Sequence, residues 1–425
     1  MRAKLAGILI ALAAIFIVGN LGFSQVQLGD KLGTEAQIDG FTAEKKNDFK
    51  RVMHGERDYK ASDQALLELA AQYYIYRITW FDKIQRDREL LNKVREEFKA
   101  ETDSAAKYKE PAAKAFANAL LTCFGDVFKT AFDKNRMSHI NAALMLPGLA
   151  QFKSEEVGDF LAKLIANPKT HDAVRMHAAR ALGEYFFAVP PMEQTVAKTD
   201  DLRKKKDPAR IQALLDVIDK KWDPKKIDPA AVQYVRRDAI KALAQARIPA
   251  VEVGKSKLTA PAAIGLLKVL AVPPVLDPPP SLGEKLEAAI GICQLKIHAA
   301  HDLYVPEIGI HRTARALNEL VKAYQTDFQN QFGGAGKKLK IPVMPWKYEA
   351  ERVKQALKTL VENTFAKEDA LKRARTLDTN MQPFLKALAN HQAIEDLNNL
   401  NELVNVLRVD SPSVFKTIDN APIGD

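Results

Sequence analysis

The segment Val174-Arg175-Met176-His177-Ala178-Ala179-Arg180-Ala181-Leu182-Gly183-Glu184 is answered later by Val235-Arg236-Arg237-Asp238-Ala239-Ile240-Lys241-Ala242-Leu243-Ala244-Gln245, and no other feature limits the possible folds as strongly. Aligned on small residues, Ala142, Ala178, Ala239 and Ala288 fall in register, with Leu146, Leu182, Leu243 and Ile292 four positions further on. In the clearest copy Val174, Ala178, Leu182 and Tyr185 lie on one helical stripe, and alanine at 178, 179 and 181 lets a neighbouring helix approach closely. A helix this narrow buries its apolar side only by stacking on further copies. Each phrase also follows an earlier apolar-periodic stretch: Val157 to Ile165, Ile211 to Ile218, and Pro261 to Leu270. The repeating unit is therefore a helix pair. Register spacings of 36, 61 and 49 residues place insertions between copies. No stretch alternates at period two, so the expected fold is all-α with very little strand.

The window Ser154 to Phe187 resembles the HEAT-repeat family of helical solenoids. Its first helix reads EEVGDFLAKLIANP and its second DAVRMHAARALGEYF, with Asp172, Val174, Arg175, Ala178, Ala181, Leu182 and Gly183 at favoured positions. The resemblance runs from about Met137 to Leu295 and implies an alpha-alpha superhelix of stacked antiparallel pairs with a concave binding surface. It also implies a structural role for Asp172 and Arg175, tying adjacent repeats. The other copies lack the aspartate. Ala178, Leu182, Ala239 and Leu243 are the expected packing positions.

Arg2 and Lys4 precede an apolar run from Leu5 to Val18, and Gly22 and Ser24 then supply small residues before Gln25. This is the pattern of a secretory signal peptide over residues 1–24, cleaved to leave a secreted or periplasmic chain. The alternative is an uncleaved membrane anchor extended through Gly19 to Phe23. Cleavage would leave 61 basic against 53 acidic residues, a net charge of +8. That mild excess suits solubility or an anionic neighbour. Export argues against a nucleic-acid partner. Only Cys123 and Cys293 are present, each in an apolar helical phrase, so they read as small buried hydrophobes rather than a disulfide framework.

Around the repeats the chain reads as residues 25–61, a glycine-containing and charged spacer or loosely docked arm; 62–134, an N-terminal helical segment; 135–295, the repeats; 296–410, a C-terminal helical segment; and 411–425, a tail. Tyr73, Tyr74, Tyr76, Trp80 and Phe81 recur at spacings that fit packing between helices better than ligand stacking. In the C-terminal segment helices are expected over 312–324, 348–363, 368–377, 381–388 and 394–407. Asp228 with Pro229 reads as N-cap and first helical residue, and Ser281 with Glu284 as a capping box after a proline-rich connector at 272–280.

Little in this sequence carries chemistry. His298 and His301, with Asp302 and His311, offer two ligands on one helix face but no identified third. His177 reads as a surface or packing residue. Gly333-Gly334-Ala335-Gly336-Lys337-Lys338 lacks the first glycine and the Ser or Thr of a phosphate-binding loop and follows no strand. No catalytic, cofactor or metal residue is assigned. The expected function is that of a non-catalytic exported scaffold that binds an envelope protein. The alternative is an anionic polymer or membrane surface held by basic loops at Lys204, Lys205, Lys225, Lys226, Lys337 and Lys338. The resemblance also admits a lyase-type enzyme, since some HEAT-like proteins act on chromophores.

Overall fold

The computed structural model describes residues 30–87, 89–189, 202–221, 223, 225, 228–247, 251–253, 257–259, 261–296, 304–332, 342–364, 367–394 and 396–409. The expected signal peptide, the tail from 411, His298, His301, Asp302, Lys226, Lys337 and Lys338 lie outside them. Among the described residues there are seventeen α-helices and one two-stranded hairpin, so the all-α expectation holds. The hairpin pairs β1 (Val251–Val253) with β2 (Lys257–Thr259), Val251 opposite Thr259. No helix among these residues is long and apolar enough to cross a membrane. Contacts divide the chain into two units, 1–100 with 119–142, and 101–118 with 143–425.

The first unit contains α1 (Glu35–Asp39), α2 (Ala43–His54), α3 (Gln64–Ile75), α4 (Phe81–Arg86) and most of α5 (Leu90–Asp103). It also includes parts of α6 (Ala112–Lys129) and α7 (Phe132–Leu149). The expected spacer at 25–61 is corrected here: α1 and α2 are capped, docked helices. Thr34 forms a capping box with Gln37, Thr42 caps α2, and Gly55 ends α2 at φ 73°, a left-handed turn that glycine adopts without steric cost. Ile38, Phe41, Phe49, Val52 and Met53 are buried, and the charged run from Glu44 to Lys50 is the solvent side of the same helix. Rings fill the unit. Phe41 meets Tyr73 at 5.1 Å, Tyr73 meets Tyr74 at 5.4 Å, Tyr74 meets Phe98 at 6.4 Å and Phe98 meets Phe124 at 6.0 Å, mostly edge to face. Trp80 is buried, and its Nε1 donates to the Leu32 carbonyl at 2.8 Å.

The second unit is a series of paired helices: α8 (Glu155–Ala166) with α9 (Asp172–Ala188), α10 (Leu202–Ile218) with α11 (Pro229–Ala246), and α12 (Pro261–Val269) with α13 (Leu282–Gln294). It continues with α14 (Pro306–Phe332), α15 (Trp346–Thr364), α16 (Glu368–Ala389) and α17 (Asn398–Val406). The first members pack in sequence, α8 on α10 and α10 on α12. The second members do the same, α9 on α11, α11 on α13, and α13 on α15. Ala178, Ala239 and Ala288, with Leu182, Leu243 and Ile292, are fully buried on these three second members, as the register requires. Ala142 and Leu146 on α7 are buried as well.

Small residues set how closely the second members approach. A methyl group on Gly183 would lie 3.0 Å from the Ala242 Cα, and one on Gly291 would lie 2.8 Å from the Ala244 Cβ. Asp228 caps α11 through the Ala230 N–H with Pro229 as the first helical residue, and Ser281 and Glu284 form the capping box of α13. The proline-rich connector is clamped to α11, its Pro278 and Pro279 carbonyls accepting from Arg236 and Gln233.

Two boundaries differ from the sequence reading. The repeat wording ends near 295, yet α15 packs on α13 and extends the row of α9, α11 and α13, and one apolar core runs from Leu286 to Leu407. The expected break between 377 and 381 is absent. Leu377, Met381, Leu385 and Leu388 keep one buried stripe through a single helix that also contains Pro383.

Candidate groove along the second-member helices

Successive helix pairs are joined by arginine and carboxylate side chains. Arg210 on α10 is 1% exposed and donates to Glu155 and Asp159 of α8 at 2.7 Å and to Asp207 at 2.9 Å. Gly158 leaves room for it, because a methyl group there would lie 2.7 Å from the guanidinium carbon. Arg180 of α9 meets Asp238 of α11 at 3.1 Å. Arg236 of α11 meets Glu284 of α13 with both side chains at 0% exposure. A buried pair of this kind holds position more than it adds stability, since desolvation offsets most of the attraction.

The resemblance placed the tie between adjacent repeats at Asp172 and Arg175, and this is corrected. Arg175 Nε donates to the Ile165 carbonyl and Nη2 to the Asn167 carbonyl, both at 3.0 Å, while Nη1 meets Asp172. Every one of these acceptors lies within the α8–α9 pair. Arg236 holds the same register position as Arg175 and carries the link between pairs instead.

Above these links lies a groove of about 630 Å³. It is lined by Arg180, Gly183, Glu184 and Phe187 of α9, Asp238, Lys241, Ala242 and Gln245 of α11, Glu287, Ile290 and Gln294 of α13, and Tyr348, Arg352, Gln355 and Thr359 of α15. On each helix these positions recur at steps of three and four, so each set is one stripe. The alanines and glycines that admit the neighbouring helix also keep the floor low. Phe187 of α9 and Tyr348 of α15, the first and last of the four helices, are 60% and 62% exposed. Arg247 lies over the Phe187 ring at 5.3 Å and Arg352 over the Tyr348 ring at 5.6 Å.

Charge on the floor centres on Glu287, which is 2% exposed. Burial alone would raise its carboxyl, but the hydrogen bond and charge of Arg352, the charge of Lys241 and the hydrogen bond of Arg237 hold it below the usual carboxylate range. Arg237 reaches it at 2.9 Å and Lys241 at 3.4 Å, and Arg352 also meets Glu349 at 2.8 Å. The Gln294 Oε1 is buried without a hydrogen-bond partner among the described residues. Such a surface offers fixed charges, amide groups and two exposed rings.

The remaining sequence candidates do not come together. Ala178, Leu182, Ala239 and Leu243 are core, and His177 is buried. Lys225 stands exposed in a turn, Lys204 and Lys205 belong to the first turn of α10, and the other basic-loop lysines are outside the described residues. Cys123 and Cys293 are unpaired and buried, and burial pushes both thiols up to about 12. Among the described residues no group of three or more His, Cys, Asp or Glu could hold a metal ion. Missed from sequence were Glu287, Tyr348 and Arg352. The readable signal was the polar pair at 180 and 184, answered in register at 241 and 245 beside the small residues that form the floor. Comparisons with protein-family models, curated proteins and solved structures give no match.

Proposed function

We propose that the second unit is a HEAT-like solenoid whose helix pairs wind into a superhelix, and that its groove holds an extended segment of a partner protein. The observation that carries this reading is the groove itself, lined by four helices packed in one row, α9, α11, α13 and α15, and bearing an exposed aromatic ring on each of its two outermost helices. Aromatic and arginine side chains dominate binding energy where proteins meet. The paired charges on the floor select among partners more than they add affinity. In this reading the chain is a non-catalytic scaffold that acts outside the cytoplasm after its leader is removed, and its partner is an envelope protein.

Photo-crosslinking from within the native cell tests it. A benzophenone amino acid at Phe187 and, separately, at Tyr348 is expected to capture one and the same protein through one short segment. The same group at the exposed Val406 is expected to capture none of it. Unrelated adducts from 187 and 348, or an equal yield from 406, would overturn the groove reading. Capture that falls away steeply with salt, and that persists without the two rings, would favour the anionic-surface alternative.

A further inference from the structure

Along α14, His311, Arg315, Asn318 and Lys322 recur at steps of four, three and four and share one face. From His311 to Lys322 that face carries no carboxylate, since Glu319 turns aside to meet Lys285 at 2.6 Å. The α17 segment lies against it. Asn318 Nδ2 and Lys322 Nζ both donate to Asn401 Oδ1 at 3.0 Å. Further along, Tyr324 donates to the Gln392 carbonyl at 2.8 Å and Gln325 accepts from the Ile394 N–H at 3.2 Å. Rising numbers on α14 thus meet falling numbers on the other chain segment. Two turns toward the start of α14, His311 and Arg315 therefore come beside the end of α17 and Arg408. Arg373 of α16 reaches the same place, its Nη1 donating to the Leu407 carbonyl at 2.9 Å and the Arg408 carbonyl at 3.4 Å.

The surroundings of His311 agree with this placement. Burial, then the guanidinium groups of Arg315, Arg312, Arg408 and Arg373, hold its imidazole down to about 4. Arg315 and Arg373 are half-buried, and among the described residues neither meets a carboxylate. Elsewhere in the same unit Arg210, Arg236, Arg237 and Arg352 each meet one or more. Like charges gathered in a partly desolvated place repel one another and attract an anion of matching charge. Guanidinium groups present paired N–H donors that fit the oxygens of phosphate and related anions.

We propose that His311, Arg315 and Arg373 form a binding site for a multivalent oxyanion of the phosphate or pyrophosphate type, either free or as a lipid headgroup. The site is separate from the groove, and neither reading depends on the other. Calorimetry on the full chain with inorganic pyrophosphate, at constant ionic strength, is expected to show saturable binding. Binding should weaken roughly tenfold for each of Arg315→Gln and Arg373→Gln. Lys204→Gln with Lys205→Gln should leave it unchanged. In wild type, saturating pyrophosphate should also raise the titration midpoint of the His311 ring protons, a readout that holds even where a variant folds poorly. No saturable binding, equal binding by the double arginine variant, or an unmoved His311 titration would overturn the site. Sedimentation with phosphatidylcholine vesicles carrying phosphatidate decides the source. Co-sedimentation lost in the double variant identifies a headgroup, pyrophosphate binding without co-sedimentation identifies a free anion, and failure of both refutes the proposal.

Discussion

In the first unit, side chains with large rings meet in a chain, tilted at Phe41 and Tyr73 and edge to face from Tyr73 through Tyr74 and Phe98 to Phe124. In the second, α9, α11 and α13 close on Gly183, Ala242, Ala244 and Gly291, and the helices are fixed along one another by Arg180, Arg236 and Arg237 with their carboxylates. Both solutions bury apolar side chains. They differ in what specifies alignment. Ring packing is local shape matching and leaves no period in the sequence, whereas small-residue packing needs alanine or glycine at the same place in every helix and so writes a repeat.

The contrast can be broken most severely at Arg236. Arg236→Ala strands the Glu284 carboxylate at 0% exposure, and a loss of about 3–5 kcal/mol is expected in urea unfolding. The double change Arg236→Met with Glu284→Gln, whose amide oxygen keeps the Ser281 capping box, should recover most of that loss; if it does not, the pair contributes more than position. In the ring-packed unit, Phe124→Ala should cost a similar amount, about 3–5 kcal/mol, with hydrogen exchange rising among 35–100 and not in α11 to α13. Gly183→Ala comes next. Its new methyl group would meet the Ala242 backbone at 3.0 Å, so about 1–3 kcal/mol is expected, and an unchanged midpoint would show that α9 and α11 can move apart freely.

A smaller effect comes from His311. Its folded pKa of about 4 lies below the ordinary value of 6.5, so between these values the unfolded chain binds more protons. The stability this group contributes is complete above pH 6.5 and is lost as pH falls through 4. His311→Gln should flatten that part of the unfolding profile. Least of all, Phe187→Ser and Tyr348→Ser should alter stability by no more than about 0.5 kcal/mol while removing partner capture.

The same contrast explains what could be read without coordinates. Ala178, Ala239 and Ala288 gave the helix register and the pairing of α8 with α9, α10 with α11, and α12 with α13, because one rule is repeated at each. Phe49, Val52 and Met53 of α2 went unread, since the lysines and acids of 44–51 supply its outer face and mask the stripe beneath. The continuation through α15 was hidden because its wording departs from the earlier copies, with Val353, Leu357 and Leu360 buried alongside Ala350 and Ala356. The groove draws its residues from four helices spread over 180–359, and their convergence depends on the stacking and on no one segment.

The arginine links also bear on how long this array can be. Arg210 meets acids that come earlier in the chain, Arg180 and Arg236 meet acids that come later, and no two junctions use the same positions. A duplicated 261–296 helix pair spliced in after the original would bring the copy's Glu287 against Leu286 and Ile290, which hold in α13 the places Arg237 and Lys241 hold in α11. One more module would thus bury a carboxylate against hydrocarbon side chains. Lengthening by copying that pair therefore carries a charge-burial cost that only further substitution in the copy would remove.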